Sequence, residues 1–112
     1  MINKITAPHY IWGDHCDGWH LVQQPGISVI HERVPAGASE VRHYHNAAWQ
    51  FFFVLSGTAT LEINGKRETL NANDGVEVPP GTPHQLANLS EQAIEFLVIS
   101  MPPSHGDRIA TS

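Results

Sequence analysis

Glycine and proline interrupt the apolar runs of this chain at short intervals, and this spacing limits the folds that it can adopt. No window of about a dozen residues keeps apolar side chains at helical spacing without such an interruption. Short β-branched or alternating runs recur instead, and they predict strands at 27–34, 50–55, 58–63, 75–78, 84–88 and 94–101. Asn64-Gly65 predicts a two-residue hairpin turn. The pattern predicts an all-β sandwich or barrel.

The length of 112 residues suits one domain with one hydrophobic core. We expect this domain to cover residues 1–112, with a core at 27–101, an N-terminal strand or arm at 1–26 and a C-terminal tail at 102–112. The run Gln50–Leu55 is almost continuously apolar, which predicts a strand buried on both faces. The Pro102-Pro103 pair predicts that the tail leaves the barrel.

Charge and composition exclude several classes of partner. Six basic residues against eleven acidic ones give a net charge of −5, whereas nucleic-acid binding needs a basic surplus. The longest apolar run, Phe51–Leu55, is too short to span a bilayer, so no membrane partner is expected. A single cysteine, Cys16, excludes an internal disulfide, and the N-terminus has no apolar signal segment. We therefore expect a cytoplasmic protein.

Three histidines carry the strongest functional signal. His43 and His45 are two residues apart, so in a strand both imidazoles point to one face. His84 lies far along the chain, so only the folded protein could bring it to them. Neutral imidazole is the commonest protein ligand of divalent transition metals. The alternative, three separately satisfied core histidines, would bury several imidazoles in an apolar barrel at a cost in free energy.

The sequence resembles the cupin family at two motifs. The first family motif is a glycine, a His-x-His pair, a glutamate and a second glycine, and the second motif is Gly, Pro, Gly, His and Asn. The matching residues here are Gly37, His43, His45, Gln50 and Gly57 for the first motif, and Asn73, Pro79, Gly81, His84 and Asn88 for the second. Two positions differ from the family pattern, with Gln50 in the glutamate position and Asn73 in the first glycine position of the second motif.

The resemblance implies a double-stranded β-helix, or jelly-roll, barrel with one divalent transition metal. Its ligands would be His43, His45, Gln50 and His84. Because glutamine is neutral, this donor set would leave the metal its full +2 charge and favour an anionic substrate oxygen. The metal itself stays open among iron, nickel, zinc, manganese and copper.

Three further residues are candidates for substrate binding. Carboxylate-handling cupins often place an arginine facing the metal at the position of Arg33, and a guanidinium suits a carboxylate. His31 shares the strand face of Arg33 and could shuttle a proton, although a plain strand histidine is the simpler interpretation. Phe52 has the parity of Gln50 and could wall the substrate pocket, or belong to the ordinary core.

The resemblance implies a homodimeric metal enzyme that acts on a small polar or acidic metabolite, with dioxygenase-like chemistry as the first hypothesis. Redox-neutral isomerase or lyase chemistry on a sugar acid is the alternative, because some small sugar-acid-converting cupins carry the same three-histidine and glutamine set. A barrel that binds a small ligand without turning it over is the third hypothesis. The roles of Cys16 and of the tail residues His105, Asp107 and Arg108 stay open.

Overall fold

The computed structural model describes residues 1–112 and consists of strands, turns and loops. The strands are β1 His9–Trp12, β2 Cys16–Gln24, β3 Ile27–Val34, β4 His43–Tyr44, β5 Trp49–Ser56, β6 Ala59–Ile63, β7 Lys66–Leu70, β8 Gly75–Val78, β9 His84–Ala87, β10 Ile94–Met101 and β11 Ile109–Ala110. They form a six-stranded sheet in the order β1-β2-β3-β10-β5-β8 and a five-stranded sheet in the order β11-β4-β9-β6-β7. The structure has no helix with the length and hydropathy needed to cross a bilayer. The all-β prediction is confirmed.

The local turn and strand signals explain most element boundaries. The predicted strands at 27–34, 75–78 and 94–101 coincide with β3, β8 and β10. The turn between β6 and β7 has positive φ angles at both central residues, 52° at Asn64 and 88° at Gly65, as a type I′ hairpin requires. Sequence analysis placed His43 and His45 on one strand, of which β4 covers His43–Tyr44, and it missed the short strand β11, whose pairing with β4 depends on distant parts of the chain.

The hydrophobic core lies between the inner faces of the two sheets. In the six-stranded sheet, β10 is central and pairs with both β3 and β5, and its alternate residues Ile94, Phe96 and Val98 are buried. Leu61 of β6 and Leu86 of β9 face them from the other sheet within one cluster. The apolar residues on the two inner faces therefore pack against each other, as in a jelly roll.

The strand β5 is buried on one face only, which corrects the expectation of burial on both faces. Its inward residues, which include Phe52 and Val54, are buried, whereas Phe51 and Phe53 are half-buried and Leu55 is 37% exposed. The rings of Trp49, Phe51 and Phe53 stack in a row along the outer face. The row is partly covered within the chain, since Phe51 packs over Gly75 and Trp49 donates a hydrogen bond to Glu77.

The two terminal segments both extend the sheets. The N-terminal segment forms the hairpin β1–β2, and β2 pairs with β3 along most of its length. The prediction that the tail leaves the barrel is wrong, because β11 pairs with β4 and Asp107 accepts backbone hydrogen bonds from residues 46–48. The prolines end β10, but the chain then turns back across the barrel.

Candidate metal centre

Three imidazoles from the five-stranded sheet converge in one buried cluster, which we call the imidazole cluster (His43, His45 and His84). His43 in β4 pairs directly with His84 in β9, and His45 follows β4. The ring centroids are 4.5 Å apart for His43 and His84, 4.9 Å for His43 and His45, and 5.6 Å for His45 and His84. One nitrogen from each ring lies within 4.8 Å of the other two. These distances allow three ligands to reach one ion.

Backbone carbonyls fix the orientation of all three rings. The Nδ1 atom of His43 lies 2.7 Å from the Val41 oxygen, and that of His84 lies 2.9 Å from the Thr82 oxygen. The Nδ1 atom of His45 contacts the Asp107 oxygen. A neutral imidazole that donates from Nδ1 keeps its lone pair on Nε2. The Nε2 atoms of His45 and His84 are buried without any hydrogen-bond partner, and a metal ion would provide the missing interaction.

Gln50 contributes an oxygen atom to the same cavity from the six-stranded sheet. Gln50 in β5 pairs with Ser100 in β10, and its Nε2 atom donates a hydrogen bond to the Ser100 hydroxyl at 3.0 Å. The carboxamide Oε1 atom is buried and has no partner. An unpaired buried oxygen is costly, so the site is arranged for a ligand that accepts its lone pair. Three nitrogens and one oxygen are a suitable donor set for a divalent transition metal.

Burial keeps the imidazoles in the form that binds metal. Burial, together with the nearby charge of Arg108 and the other two rings, lowers the pKa of His43 to about 3. Burial also lowers the pKa of His84 below its ordinary value. Both rings are therefore neutral at physiological pH, and metal binding there would not have to displace a proton from either ring.

Residues 30–100 match the family described as the Cupin domain. The chain belongs to the cupin family. Relatives of this cupin include oxidoreductase macE of Penicillium terrestre, which is 29% identical over an alignment of 97 positions that covers 83% of this chain and 37% of the relative. An oxidoreductase of Arthrobotrys oligospora is 38% identical over an alignment of 113 positions that covers 96% of this chain and 42% of the relative. This chain thus spans less than half the length of these two relatives.

Solved structures show the same fold. A sugar phosphate isomerase of the cupin superfamily from Silicibacter pomeroyi superposes with a TM-score of 0.82 at 21% identity. The match covers 92% of this chain and 76% of that one. At this level of identity the likeness establishes the jelly-roll cupin fold.

The cupin barrel contains a cavity of about 920 Å³ beside the imidazole cluster. This volume is within the usual range for small-molecule sites. His43, His45 and Gln50 line it, and Phe52 and Val98 connect it to the hydrophobic core. The cavity is therefore apolar at its base and carries the metal donors in its wall.

Two carboxyl groups line the same cavity, and we call them the carboxyl wall (Glu32 and Glu40). Burial, with the charge of Glu40, raises the pKa of Glu32 to about 8, and Arg108 opposes that shift. Burial raises the pKa of Glu40 to about 7, although the Leu86 amide donates to its carboxylate at 2.9 Å. Both groups therefore titrate close to neutral pH, unlike ordinary surface carboxyls.

Arg33 and His31 lie on the outer face of the six-stranded sheet, which corrects their expected place beside the metal. The cavity is lined by the other alternate set of β3, Ser28, Ile30 and Glu32. The Arg33 guanidinium lies 3.6 Å from the Asp17 carboxylate, and His31 Nε2 lies 2.8 Å from Glu95. The physical reason is strand parity, since neighbouring residues of one strand face opposite sides of a sheet.

Phe52 lines the cavity as expected, with its ring 6.0 Å from that of His84. It is 5% exposed and also belongs to the core cluster. A role in substrate binding stays a prediction. Cys16 is buried, and burial raises its thiol pKa to about 11, so it is an inert core residue.

Sequence analysis did not assign the residues that the tail brings to the site. The side chain of Arg108 lines the cavity, and its Nη2 atom lies 3.3 Å from the Val41 oxygen. The Asp107 carboxylate accepts hydrogen bonds of 2.8 to 3.0 Å from the amides of Asn46, Ala47 and Ala48. These bonds hold the loop that follows His45. The only signal in the sequence was the cluster of charged and imidazole groups in the tail.

Proposed function

We propose that this cupin binds one divalent transition metal through His43, His45, His84 and Gln50 and is an enzyme acting on a small anionic metabolite. The unpartnered buried atoms His45 Nε2, His84 Nε2 and Gln50 Oε1 are the observation that supports it most strongly. The imidazole and carboxamide groups that carry these atoms are neutral, so the bound ion would keep its +2 charge and attract an anion. The cavity volume suits a metabolite or a small sugar acid.

Arg108 takes the role that the sequence suggested for Arg33. It lines the cavity beside His43, and its charge acts on both groups of the carboxyl wall. A guanidinium can bind a carboxylate or phosphate with two parallel hydrogen bonds. Arg108 would orient the anion, and Phe52 would exclude water from the base of the cavity. The metal, when bound, supplies Lewis acidity towards a substrate oxygen.

Redox-neutral isomerase or lyase chemistry is the first candidate reaction class. The carboxyl wall supports it, because two cavity carboxyls that titrate near neutral pH suit proton transfer to and from a substrate. Dioxygenase-like chemistry is the second candidate. It is supported by the names of the two relatives described above, both of which are called oxidoreductases.

Elemental analysis of tag-free protein purified without chelator is the test of the metal site. We expect a near-stoichiometric transition metal in the native protein and its loss from His84→Ala, because His84 is fully buried within the imidazole cluster. His15→Ala is the matched control, since this imidazole is 91% exposed in its side chain and lies outside the cluster. Native protein that binds no metal from any buffer supplemented with iron, nickel, zinc, manganese or copper would contradict the proposal.

Binding of oxalate to the metal-loaded protein is the test of the anion site. We expect Arg108→Ala to weaken oxalate binding by roughly tenfold to a hundredfold, as expected for loss of a charged hydrogen bond. Titration calorimetry measures the affinity, and Arg67→Ala on the distant strand β7 is the control. A metal-loaded native protein with no affinity for oxalate, pyruvate or phosphate would exclude an anionic metabolite.

We also propose a cytoplasmic homodimer that associates through the aromatic row Trp49, Phe51 and Phe53. The stacked rings are half-buried on the outer face of β5, and aromatic residues are enriched in protein interfaces. Light scattering after size exclusion measures the mass. A monomer at all concentrations would contradict this part of the proposal.

A further inference from the structure

Three residues on neighbouring strands form a straight row across the N-terminal edge of the six-stranded sheet. Tyr10 in β1 pairs with Gly18 in β2, and Gly18 pairs with Glu32 in β3. Tyr10 and Glu32 both line the cavity, and Gly18 is buried between them. The row therefore links the outermost strand of the sheet to the carboxyl wall.

The absence of a side chain at Gly18 lets Tyr10 cross to Glu32. A Cβ atom at position 18 would overlap ring atoms and the hydroxyl oxygen of Tyr10. The aromatic ring thus lies over the glycine, and the Tyr10 hydroxyl reaches far enough towards the Glu32 carboxyl to lower its pKa. A tyrosine laid over a glycine in this way has its hydroxyl held at a fixed place in the cavity.

We propose that Glu32 is the group that exchanges a proton with the bound substrate, and that Tyr10 positions its carboxyl across Gly18. This inference rests on the proposed function, because it requires that an anionic substrate enters the cavity. Two observations support it: the cavity position of the carboxyl and the cross-strand row that orients it.

The groups around Glu32 determine when it can accept a proton. Burial is the main cause that raises the pKa of Glu32, and the charge of Glu40 raises it further, while the charge of Arg108 and the Tyr10 hydroxyl lower it; the balance is a pKa of about 8. The negative charge of Glu32 also raises the pKa of the Cys16 thiol. Burial raises the pKa of the Tyr10 hydroxyl well above its ordinary value, so Tyr10 stays protonated and acts only as a donor. A bound divalent cation would lower the pKa of Glu32 further towards neutrality.

The proton balance of the step is closed without any further reactant. The Glu32 carboxylate removes a proton from the carbon next to a substrate carbonyl, and the electron pair of the C–H bond moves to form an enolate. The protonated Glu32 then returns a proton to the same carbon, which re-forms the carbonyl and regenerates the carboxylate. With an α-hydroxy carbonyl substrate, the hydroxyl proton moves to the enolate oxygen and Glu32 protonates the former carbonyl carbon instead, which gives the isomer. The outcome is isomerisation or hydrogen exchange with solvent.

Exchange of the methyl hydrogens of pyruvate in D₂O tests this inference, with zinc-loaded protein and detection by proton NMR. We expect the native protein to exchange them faster than zinc alone and Glu32→Gln to be slower by about a hundredfold or more. We expect the zinc content of Glu32→Gln to be unchanged and its affinity for oxalate to stay within about twofold. Glu68→Gln, an exposed carboxyl on β7, is the matched control and should exchange at the native rate.

Tyr10→Phe separates a positioning role from a merely structural one. Loss of the Tyr10 hydroxyl removes an interaction that lowers the pKa of Glu32, so the exchange rate should rise with pH along a curve displaced to higher pH. Native-rate exchange by Glu32→Gln, or an undisplaced curve in Tyr10→Phe, would overturn the inference. If the native protein binds pyruvate but does not exchange its hydrogens, the inference about Glu32 is overturned and the proposed function stands. If it binds neither oxalate nor pyruvate, both the inference and the proposed function are overturned.

Discussion

The two sides of the cavity are built by different parts of the chain and by different devices. The imidazole cluster belongs to the five-stranded sheet and depends on backbone carbonyls and on the returning tail. Within the carboxyl wall, Glu32 depends on the N-terminal hairpin, where Tyr10 lies over Gly18, whereas Glu40 accepts a hydrogen bond from the Leu86 amide of β9. One side consists of neutral donors and the other of titrating acids. Glu40 and Arg108 lie closest to the metal site, at 4.0 Å and 3.4 Å from the Nδ1 atom of His43, whereas Glu32 is oriented from the opposite sheet.

This difference teaches that metal binding and proton transfer can be altered separately. The ligands are oriented by contacts on the side of β4 and β11, whereas Glu32 is oriented from β1 and β2. Substitutions far from each other and without shared partners usually have additive effects. Substitutions in β1 or β2 that displace Glu32 should therefore leave metal affinity unchanged, and substitutions that loosen His45 should leave the position of Glu32 unchanged.

Asp107→Ala should have the largest effect, and it should act on the imidazole cluster alone. The substitution removes three hydrogen bonds to the loop after His45 and loosens the segment whose carbonyl orients that ring. We expect metal affinity to fall by about tenfold to a hundredfold, as for other groups that hold a ligand in place. Competition with a chromophoric chelator measures it. Asp14→Ala, at an exposed turn, is the control.

Gly18→Ala should destabilise the protein and displace Tyr10 while leaving metal affinity intact. The added methyl group overlaps the Tyr10 ring, and such overpacking costs roughly 1–3 kcal/mol. Thermal unfolding of chelator-treated protein measures the loss. The double variant Gly18→Ala with Tyr10→Ala should recover much of it. Equal losses in the single and double variants would mean that the clash is not the cause.

Glu32→Gln should flatten the pH dependence of stability. Because the pKa of Glu32 is raised in the folded state, the unfolded chain releases this proton first, and stability falls as pH rises from the ordinary value of 4.5 to about 8. The glutamine variant lacks this proton, so its melting temperature should fall less across that window. The comparison is made on metal-free protein. Parallel curves for both proteins would show that Glu32 has an ordinary pKa.

Arg33→Ala should have almost no effect on anion binding, which makes it the sharpest counterpart to Arg108→Ala. Its guanidinium is on the outer face near Asp17, away from the cavity. We expect the affinity for oxalate to stay within about twofold of the native value. A loss as large as that in Arg108→Ala would mean that the anion binds outside the barrel.

The sequence predicts the strands and the imidazole cluster well because both have local signatures. The i, i+2 spacing of His43 and His45 places them on one face in any strand, and motif spacing adds His84. The orientation of β3 has no such signature. Each face of β3 mixes apolar residues with charged or imidazole ones. One face carries Ile30, Glu32 and Val34, and the other carries Val29, His31 and Arg33.

Contacts between distant segments account for what the sequence could not predict. Burial of Ile94 and Phe96 on β10 selects which face of β3 is inward, and β10 is far from β3 along the chain. The return of the tail depends on hydrogen bonds that the Asp107 carboxylate accepts from backbone amides 59 to 61 residues earlier in the chain. Neither contact leaves a periodic pattern.

The attachment of the tail to His45 has a consequence for the lifetime of the protein. Asp107 joins the ring of a proposed ligand and the loop that carries it to the last segment of the chain. A ligand that binds only the docked arrangement shifts the docking equilibrium by mass action. Starvation for the metal would therefore leave this segment undocked more often and offer it to proteases. Metal supply would in this way set how quickly the cell removes the protein.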